Sequence, residues 1–315
     1  MEHDDTNARV RLSVVTPSLN HARFLRDTIE SVRAQTFRSV EHIVIDGGST
    51  DGSVDILSSY PELRWISEKD KSIVDAYRKG FKRVRGDYVV QCCVSDGFLD
   101  PRWFEVAVNY LDAHPEVALV WALPQYLTED GALGVVPYAE FFDWPPPEDP
   151  AKFFAFWLAT KFVFPEGNYV VRAEIVRRYF PTDDSPEHYR IHPHLGFVYE
   201  FMTRGYVARF LPRVVNYGRV HADQRGKRLW AIERPAYFQY VRDVDACRPG
   251  RMRCIRTREF VAPSGEVLSR VSRRFASRLW FDYLTQRLLR SKLVTWPLYR
   301  LVVVVVTRLK GWRGA

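Results

Sequence analysis

Glu41-His42-Ile43-Val44-Ile45-Asp46-Gly47-Gly48-Ser49-Thr50-Asp51-Gly52 decides how this chain is read. Glu41–Ile45, a strand that ends in an Ile-Val-Ile run, stops at an aspartate and breaks into a turn rich in glycine and serine. A short helix is predicted directly after it, from Ser53 to Ser59. Working outward, the same alternation repeats on both sides. Arg11–Thr16 (RLSVVT) is a strand closed by Pro17, and Phe24, Leu25, Ile29 and Val32 then recur at helical spacing up to Gln35. A third strand is predicted over Leu63–Ser67, and Ile73, Tyr77, Phe81 and Val84 mark another helix. Asp87–Val94 (DYVVQCCV) is a nearly continuous apolar run, as a strand covered on both faces requires. A helix from Pro101 to about His114 and a strand over Val117–Leu123 complete the series.

Strand–helix alternation with short connections implies an α/β fold, a doubly wound and mostly parallel sheet. Ligands of such sheets bind beyond the carboxyl ends of the strands. Asp46, Asp70 and Asp96 all fall at those ends or just past them, which points to one site. Asp46 has the position of an acidic residue that holds a ribose or base in nucleotide sites. A turn-forming aspartate ahead of Gly47-Gly48 is the structural alternative. Asp96 could hold a divalent cation as a hard oxygen ligand, or simply cap the following helix.

The composition is that of an ordinary globular protein, with 46% hydrophobic and 27% charged residues, so wholesale disorder is excluded. Cys92, Cys93, Cys247 and Cys254 form neither a disulfide framework nor a zinc pattern and read as reduced thiols. No secretory leader is evident in the polar first nine residues. The net charge of +8 is unevenly spread: from Lys227 onward there are 20 Lys/Arg against 6 Asp/Glu. An acidic body with a basic tail suggests an anionic partner for the tail. No nucleic-acid motif accompanies it, so nucleic acid is not expected. Leu293–Leu309 is apolar, interrupted by Arg300 and flanked by Arg290, Lys292, Arg308, Lys310 and Trp312. It is too short a run to span a bilayer and suits an interfacial segment on an anionic membrane. A cytoplasmic protein, peripheral at the inner face of the membrane, is therefore expected.

Four ordered segments carry a family resemblance. They are Val14-Val15-Thr16-Pro17-Ser18-Leu19-Asn20, Ser31-Val32-Arg33-Ala34-Gln35-Thr36, the Glu41–Gly52 stretch, and Ser67-Glu68-Lys69-Asp70-Lys71-Ser72-Ile73-Val74-Asp75-Ala76-Tyr77-Arg78-Lys79-Gly80. Together they resemble glycosyltransferase family 2, whose members have the GT-A fold. The resemblance is strong over residues 10–125 and weaker over 160–225. It implies a glycosyltransferase domain over 10–226, with a nucleotide-binding half (10–125) and an acceptor-side half (126–226). A helical, basic and partly apolar extension follows over 227–315.

The resemblance implies transfer of a sugar from a nucleoside diphosphate donor to a glycan or lipid-linked acceptor, with inversion, in cell-surface polysaccharide or glycoconjugate synthesis. Thr16, Pro17, Asp46, Gly47, Asp70 and Arg78 would then line the donor nucleotide pocket, with Asp96 near the ribose and diphosphate. A divalent cation, Mn or Mg, is also implied. Two departures matter. In Ser95-Asp96-Gly97-Phe98-Leu99-Asp100-Pro101, Gly97 stands where the family has a second metal-binding carboxylate. Ahead of Arg204-Gly205-Tyr206, Pro193-His194 occupies the place of the family's catalytic aspartate. His194 is thus the candidate base, with Asp183, Asp184 and Glu187 as rivals, and Arg78, Lys79, Arg219 or His221 could meet the charge of the leaving group. Both departures also admit a degenerate member that binds nucleotide sugars without transferring them.

Overall fold

A computed structural model describes residues 9–222, 230–247, 257–272 and 284. The first half follows the predicted alternation: β1 (Leu12–Ser18), α1 (Ala22–Arg33), β2 (Val40–Asp46), α2 (Ser53–Ser58), β3 (Arg64–Ser67), α3 (Ile73–Phe81) and β4 (Tyr88–Gln91). After the two-residue β5 (Gly97–Phe98) come α4 (Trp103–Ala113) and β6 (Leu119–Thr128). The second half contributes α5 (Pro150–Thr160), β7 (Tyr169–Arg172), α6 (Ala173–Tyr179), α7 (Glu187–Ile191), α8 (Pro193–Thr203) and β8 (Ala208–Val220). Beyond it lie α9 (Trp230–Ala246) and a hairpin of β9 (Thr257–Val261) and β10 (Val267–Ser272).

Eight strands form one sheet in the order β3-β2-β1-β4-β7-β6-β8-β5. β3, β2, β1 and β4 are mutually parallel, and so are β6 and β8. β7 runs antiparallel between β4 and β6, and β5 runs antiparallel to β8. The expected mostly parallel α/β sheet is present, with two reversed strands in its second half.

Several strand limits differ from the prediction, β6 running on past Leu123 to Thr128, and two of them have a plain physical reason. β1 continues through Pro17 to Ser18 because the β4 side of β1 is paired only as far as Val15 opposite Gln91. Past that point the missing N–H of Pro17 breaks no ladder bond on that side. β4 stops at Gln91, three residues short of Val94. Cys92 still donates its N–H to Val15 O (3.1 Å), but the chain then turns through Ser95, whose φ is +87°. That left-handed conformation is uncommon in a residue with a side chain. The turn is held by Thr28 Oγ1, which accepts from Ser95 N (3.2 Å) and donates to Asp96 O (2.7 Å).

The core lies on both faces of the sheet. α3 packs on β1 at a glycine: a Cβ on Gly80 would stand 2.4 Å from Val15 Cγ1. On the same side α5, capped by Asp149 (Lys152 N to Oδ1, 2.9 Å), inserts Phe153, Phe154, Phe156 and Trp157 into an aromatic cluster with Trp121, Phe162, Phe164 and Tyr169. Rings of this size bury the most apolar area per residue, which is what drives the half to close. Of the predicted extension, α9 joins this cluster through Tyr240, whose hydroxyl accepts from Trp157 Nε1 (2.8 Å). The Leu293–Leu309 segment lies outside the described residues. Among the described residues no helix is long and apolar enough to cross a membrane.

Candidate active site

β2 delivers Asp46 to the carboxyl end of the sheet, fully buried. Its Oδ2 accepts the N–H groups of Gly48 (3.1 Å) and Ser49 (2.9 Å) and the hydroxyl of Ser67 (2.7 Å). Oδ1 accepts the Ser49 hydroxyl at 2.5 Å. Four donors use the acceptor capacity of a carboxylate. Asp46 therefore fixes the Gly47–Ser49 loop against β3, the turn-forming alternative noted in the sequence.

Beside that loop lies Asp70. A Cβ on Gly47 would meet Asp70 Oδ2 at 3.0 Å. Lys79, reaching across from α3, pairs with Asp70 (2.6 Å), Glu68 (3.0 Å) and Asp75 (3.2 Å). Burial works against its charge, but the three carboxylates outweigh it and hold the ammonium above its ordinary range. Burial raises Asp70, with Lys79 pulling the other way. Thr16 and Pro17 lie at the same end of β1. The Thr16 side chain is buried, its hydroxyl 2.9 Å from His42 Nε2. Arg78 points away and donates to Asp183 (3.1 Å).

Asp96 follows the Ser95 turn, half-buried between β5 and β8. Its Oδ1 accepts the backbone N–H of Arg219 (3.1 Å). Burial, with a further push from the Glu166 charge, moves its pKa up to about 7 despite Arg219. The Arg219 guanidinium donates to Asp27 (2.6 Å) and Ser95 O (3.4 Å) and lies over the rings of Phe24 and Tyr217. Two residues on, His221 packs against Phe24 (4.9 Å) and His21 (5.9 Å).

Gly97 is not a vacant ligand position facing the crevice. A Cβ there would stand 2.5 Å from Tyr217 Oη and 2.6 Å from Ser31 Oγ, so the glycine is required by close packing and not by a left-handed backbone. Asp100, the next carboxylate along, is taken by Arg213 (Nε 2.8 Å, Nη2 2.7 Å). Among the described residues no three metal-ligating side chains gather at one point. With one carboxylate, itself bonded to a backbone N–H, this donor set does not fit a resident Mn or Mg ion.

His194 lies in the first turn of α8 and is only 3% exposed. Its Nε2 is hydrogen-bonded to the carbonyl of Phe164 and its ring stacks on Tyr169 (5.5 Å). Desolvation holds its pKa down to about 4, so the ring is neutral and makes no ion pair with Glu166, 4.0 Å from Nδ1. Of the rivals, Asp183 is engaged by Arg78 and Glu187 opens α7.

Glu166 is a further carboxylate that the sequence reading did not single out. It sits in the Pro165-Glu166-Gly167-Asn168 turn ahead of β7, and no motif marks it. Because β7 is antiparallel, its start is level with the end of β4: Val90 pairs with Val170, and the Tyr169 hydroxyl donates to Gln91 Oε1. That reversal carries the turn to the end of the sheet where Asp96 lies. A separate hollow of about 640 Å³, lined by Arg33, Arg38, His42 and Leu63, opens at the other end of β2, away from these carboxylates.

The comparisons with known proteins agree with this geometry. Residues 13–180 match the family described as glycosyl transferase family 2. An uncharacterized glycosyltransferase of Mycobacterium tuberculosis is 35% identical over 133 residues, 41% of this chain and 51% of its own length. The chondroitin synthase of Escherichia coli is 28% identical over 138 residues, 42% of this chain but 19% of its own length. The matched stretch thus spans about half or less of these curated relatives. Among solved structures, S. aureus TarS 1–349 in complex with UDP-GlcNAc superimposes with a TM-score of 0.58 at 14% identity, covering 90% of this chain and 74% of that one. A mannosyltransferase of Pyrobaculum calidifontis, in complex with GDP-Man and Mn2+, gives 0.51 at 16% identity, covering 96% and 81%. A GT-A sheet with its acidic residues at the carboxyl ends, matched by family over more than half its length, means that this chain belongs to glycosyl transferase family 2.

Proposed function

We propose that the protein transfers a glycosyl group from a nucleoside diphosphate sugar to a glycan or lipid-linked acceptor, with inversion, in the synthesis of a cell-surface polysaccharide or glycoconjugate. The observation that carries this reading is the prebuilt polar rim at the ends of β1, β2 and β3. There Asp46 locks the Gly47–Ser49 loop and Lys79 sets Asp70 against it. Such a rim is rigid before the ligand arrives, which lowers the ordering cost of binding. In this reading Pro17, Gly47 and Asp70 line the base and ribose, and Thr16 and Asp46 act from behind by fixing the backbone. Arg78 is held by Asp183 at the edge of the pocket and contributes by releasing that carboxylate to meet the donor.

Asp96 marks where the ribose and diphosphate meet the sugar. Arg219 donates its backbone N–H to Asp96, and its buried guanidinium supports the turn at Ser95 O and offsets negative charge developing on the diphosphate as the glycosyl bond breaks. UDP-GlcNAc and GDP-Man, the ligands in the two solved neighbours, are the donors to test first. Calorimetry with each should show binding in the parent protein that weakens at least tenfold in Asp70→Ala, and incubation should release free UDP or GDP. Binding without any release in an acceptor mixture would establish instead the degenerate, binding-only reading that the occluded Gly97 and buried His194 favour.

A further inference from the structure

The hollow at the amino end of β2 has no part in the transferase reading. Its volume of about 640 Å³ is that of a small-molecule site. Val32, Phe37, Val40 and Leu63 give it an apolar wall. His42 belongs to the same wall and is 6% exposed. Its Nε2 is hydrogen-bonded to the Thr16 hydroxyl (2.9 Å), whereas its Nδ1 has no hydrogen-bond partner. Burial holds the ring neutral, with a pKa of about 3, so Nδ1 is one hydrogen bond short whichever nitrogen carries the hydrogen. An unmet polar atom at this depth costs free energy that an apolar ring would not. The direction of Nδ1 follows from the strand register. His42 pairs with Val14, so Thr16 lies two residues nearer the carboxyl end, and Nε2 points that way. Nδ1, on the far side of the ring, turns back toward Val40 and the hollow.

The charges of the rim leave one cation over. Glu30 and Glu62 share Arg33, at 2.9 Å each, and Glu30 is also met by the Tyr60 hydroxyl and the charge of Arg26. Arg38 is exposed, and among the described residues its guanidinium meets only the Arg33 carbonyl, at 3.5 Å. We infer that this hollow is a second ligand site, for a small amphiphilic carboxylate with a ring-sized apolar body. The carboxylate head pairs with Arg38, the body covers the apolar wall, and a polar atom at the far end completes His42 Nδ1. A hydroxyl suits that end, because it donates or accepts and so serves either tautomer of the ring. One unmatched arginine beside two carboxylates favours a singly charged head over a phosphate, which carries about two charges. The exposed ion pair adds little affinity by itself, and the buried contact at His42 supplies the selectivity. The inference stands whether or not the transferase reading holds.

The test uses the full chain with isotope-labelled histidine and 4-hydroxybenzoate as the probe, with benzoate and phenyl phosphate for comparison. Titration followed by NMR should show saturation by 4-hydroxybenzoate with a Kd below about 1 mM. The ring nitrogens of His42, assigned through its backbone resonances, should shift along the same curve. Benzoate lacks the hydroxyl and should bind about tenfold more weakly, the loss expected when a buried polar atom stays unpaired. Arg38→Gln, an exposed change at the end of the sheet opposite the donor pocket, should weaken 4-hydroxybenzoate about fivefold and leave the denaturation midpoint in place. The site is overturned if 4-hydroxybenzoate does not saturate, if it binds no better than benzoate, if the His42 ring is unmoved at saturation, or if Arg38→Gln keeps full affinity. Tighter binding of phenyl phosphate than of 4-hydroxybenzoate would overturn the carboxylate class.

Discussion

Two polar clusters sit at the carboxyl end of one sheet, and they differ in how completely they are satisfied. Around Asp46 four donors meet the carboxylate, three on Oδ2 and one on Oδ1, and Lys79 serves three acids at once. Around Glu166 three buried amides, Gln91, Asn168 and Asn216, keep atoms without partners. The first cluster is finished before any ligand binds and behaves as framework; the second keeps hydrogen-bonding capacity unmet within the buried sheet. Evidence that both respond alike to mutation would erase the distinction.

The largest effect on stability should come from the finished cluster. Asp46→Ala removes four hydrogen bonds to an ionised group and should destabilise the fold by about 4 kcal/mol, read as a shift in the denaturation midpoint. Gln91→Leu in the unfinished cluster removes one unpaired polar atom but also the acceptor of the buried Tyr169 hydroxyl, and should cost about 1–2 kcal/mol, less than Asp46→Ala. Equal losses would break the comparison.

Acid should expose the next contribution. Unfolded, His194 titrates near 6.5; folded, it is held to about 4. Between those values the unfolded chain binds the extra proton, so stability is full above pH 6.5 and declines toward pH 4. The loss for this group amounts to about 3 kcal/mol. His42, held to about 3 by burial, extends the decline. Asp96, raised to about 7, acts with the opposite sign: its contribution is present in acid and fades as pH rises from about 4 to 7. His194→Gln should flatten the acid side of a stability–pH curve; an unchanged slope would show that the ring is not held neutral.

Lys79→Met leaves Asp70, largely buried, facing Glu68 and Asp75 without a counter-charge. A loss of about 2 kcal/mol is expected, discounted for the exposure of Glu68, together with weaker donor binding. The smallest effect, about 1–2 kcal/mol of overpacking, is predicted for Gly97→Asp, whose side chain must displace Tyr217 and Ser31. Adding Tyr217→Ala should relieve it. Tight Mn binding by Gly97→Asp would contradict the packing role given to that glycine.

The first half of the fold was legible because its signals are local. Ile43-Val44-Ile45 is an apolar, β-branched run up to an acidic stop, and α1 and α3 show clean amphipathic spacing. Cys92-Cys93-Val94 misled because a buried turn and a buried strand have the same composition, and only the φ of Ser95 separates them. The direction of β7 was not legible at all. Tyr-Val-Val-Arg reads the same in a parallel or an antiparallel partner, yet that direction alone carries Glu166 to the site. His194 was found by motif position, but its burial depends on rings from α5 and β7, distant in sequence.

Gly80 gives the packing of α3 a meaning for anyone wishing to harden this protein. A propensity scale nominates it for alanine, with a nominal gain of about 1 kcal/mol. The added methyl would meet Val15 at 2.4 Å, and the helix would have to lift from the sheet to admit it. Lys79 is the preceding residue, and its 2.6 Å reach to Asp70 would lengthen by the same displacement. Helix propensity and charge placement are thus geared together through a single hydrogen atom, and a sturdier helix would come with a looser grip on the pocket.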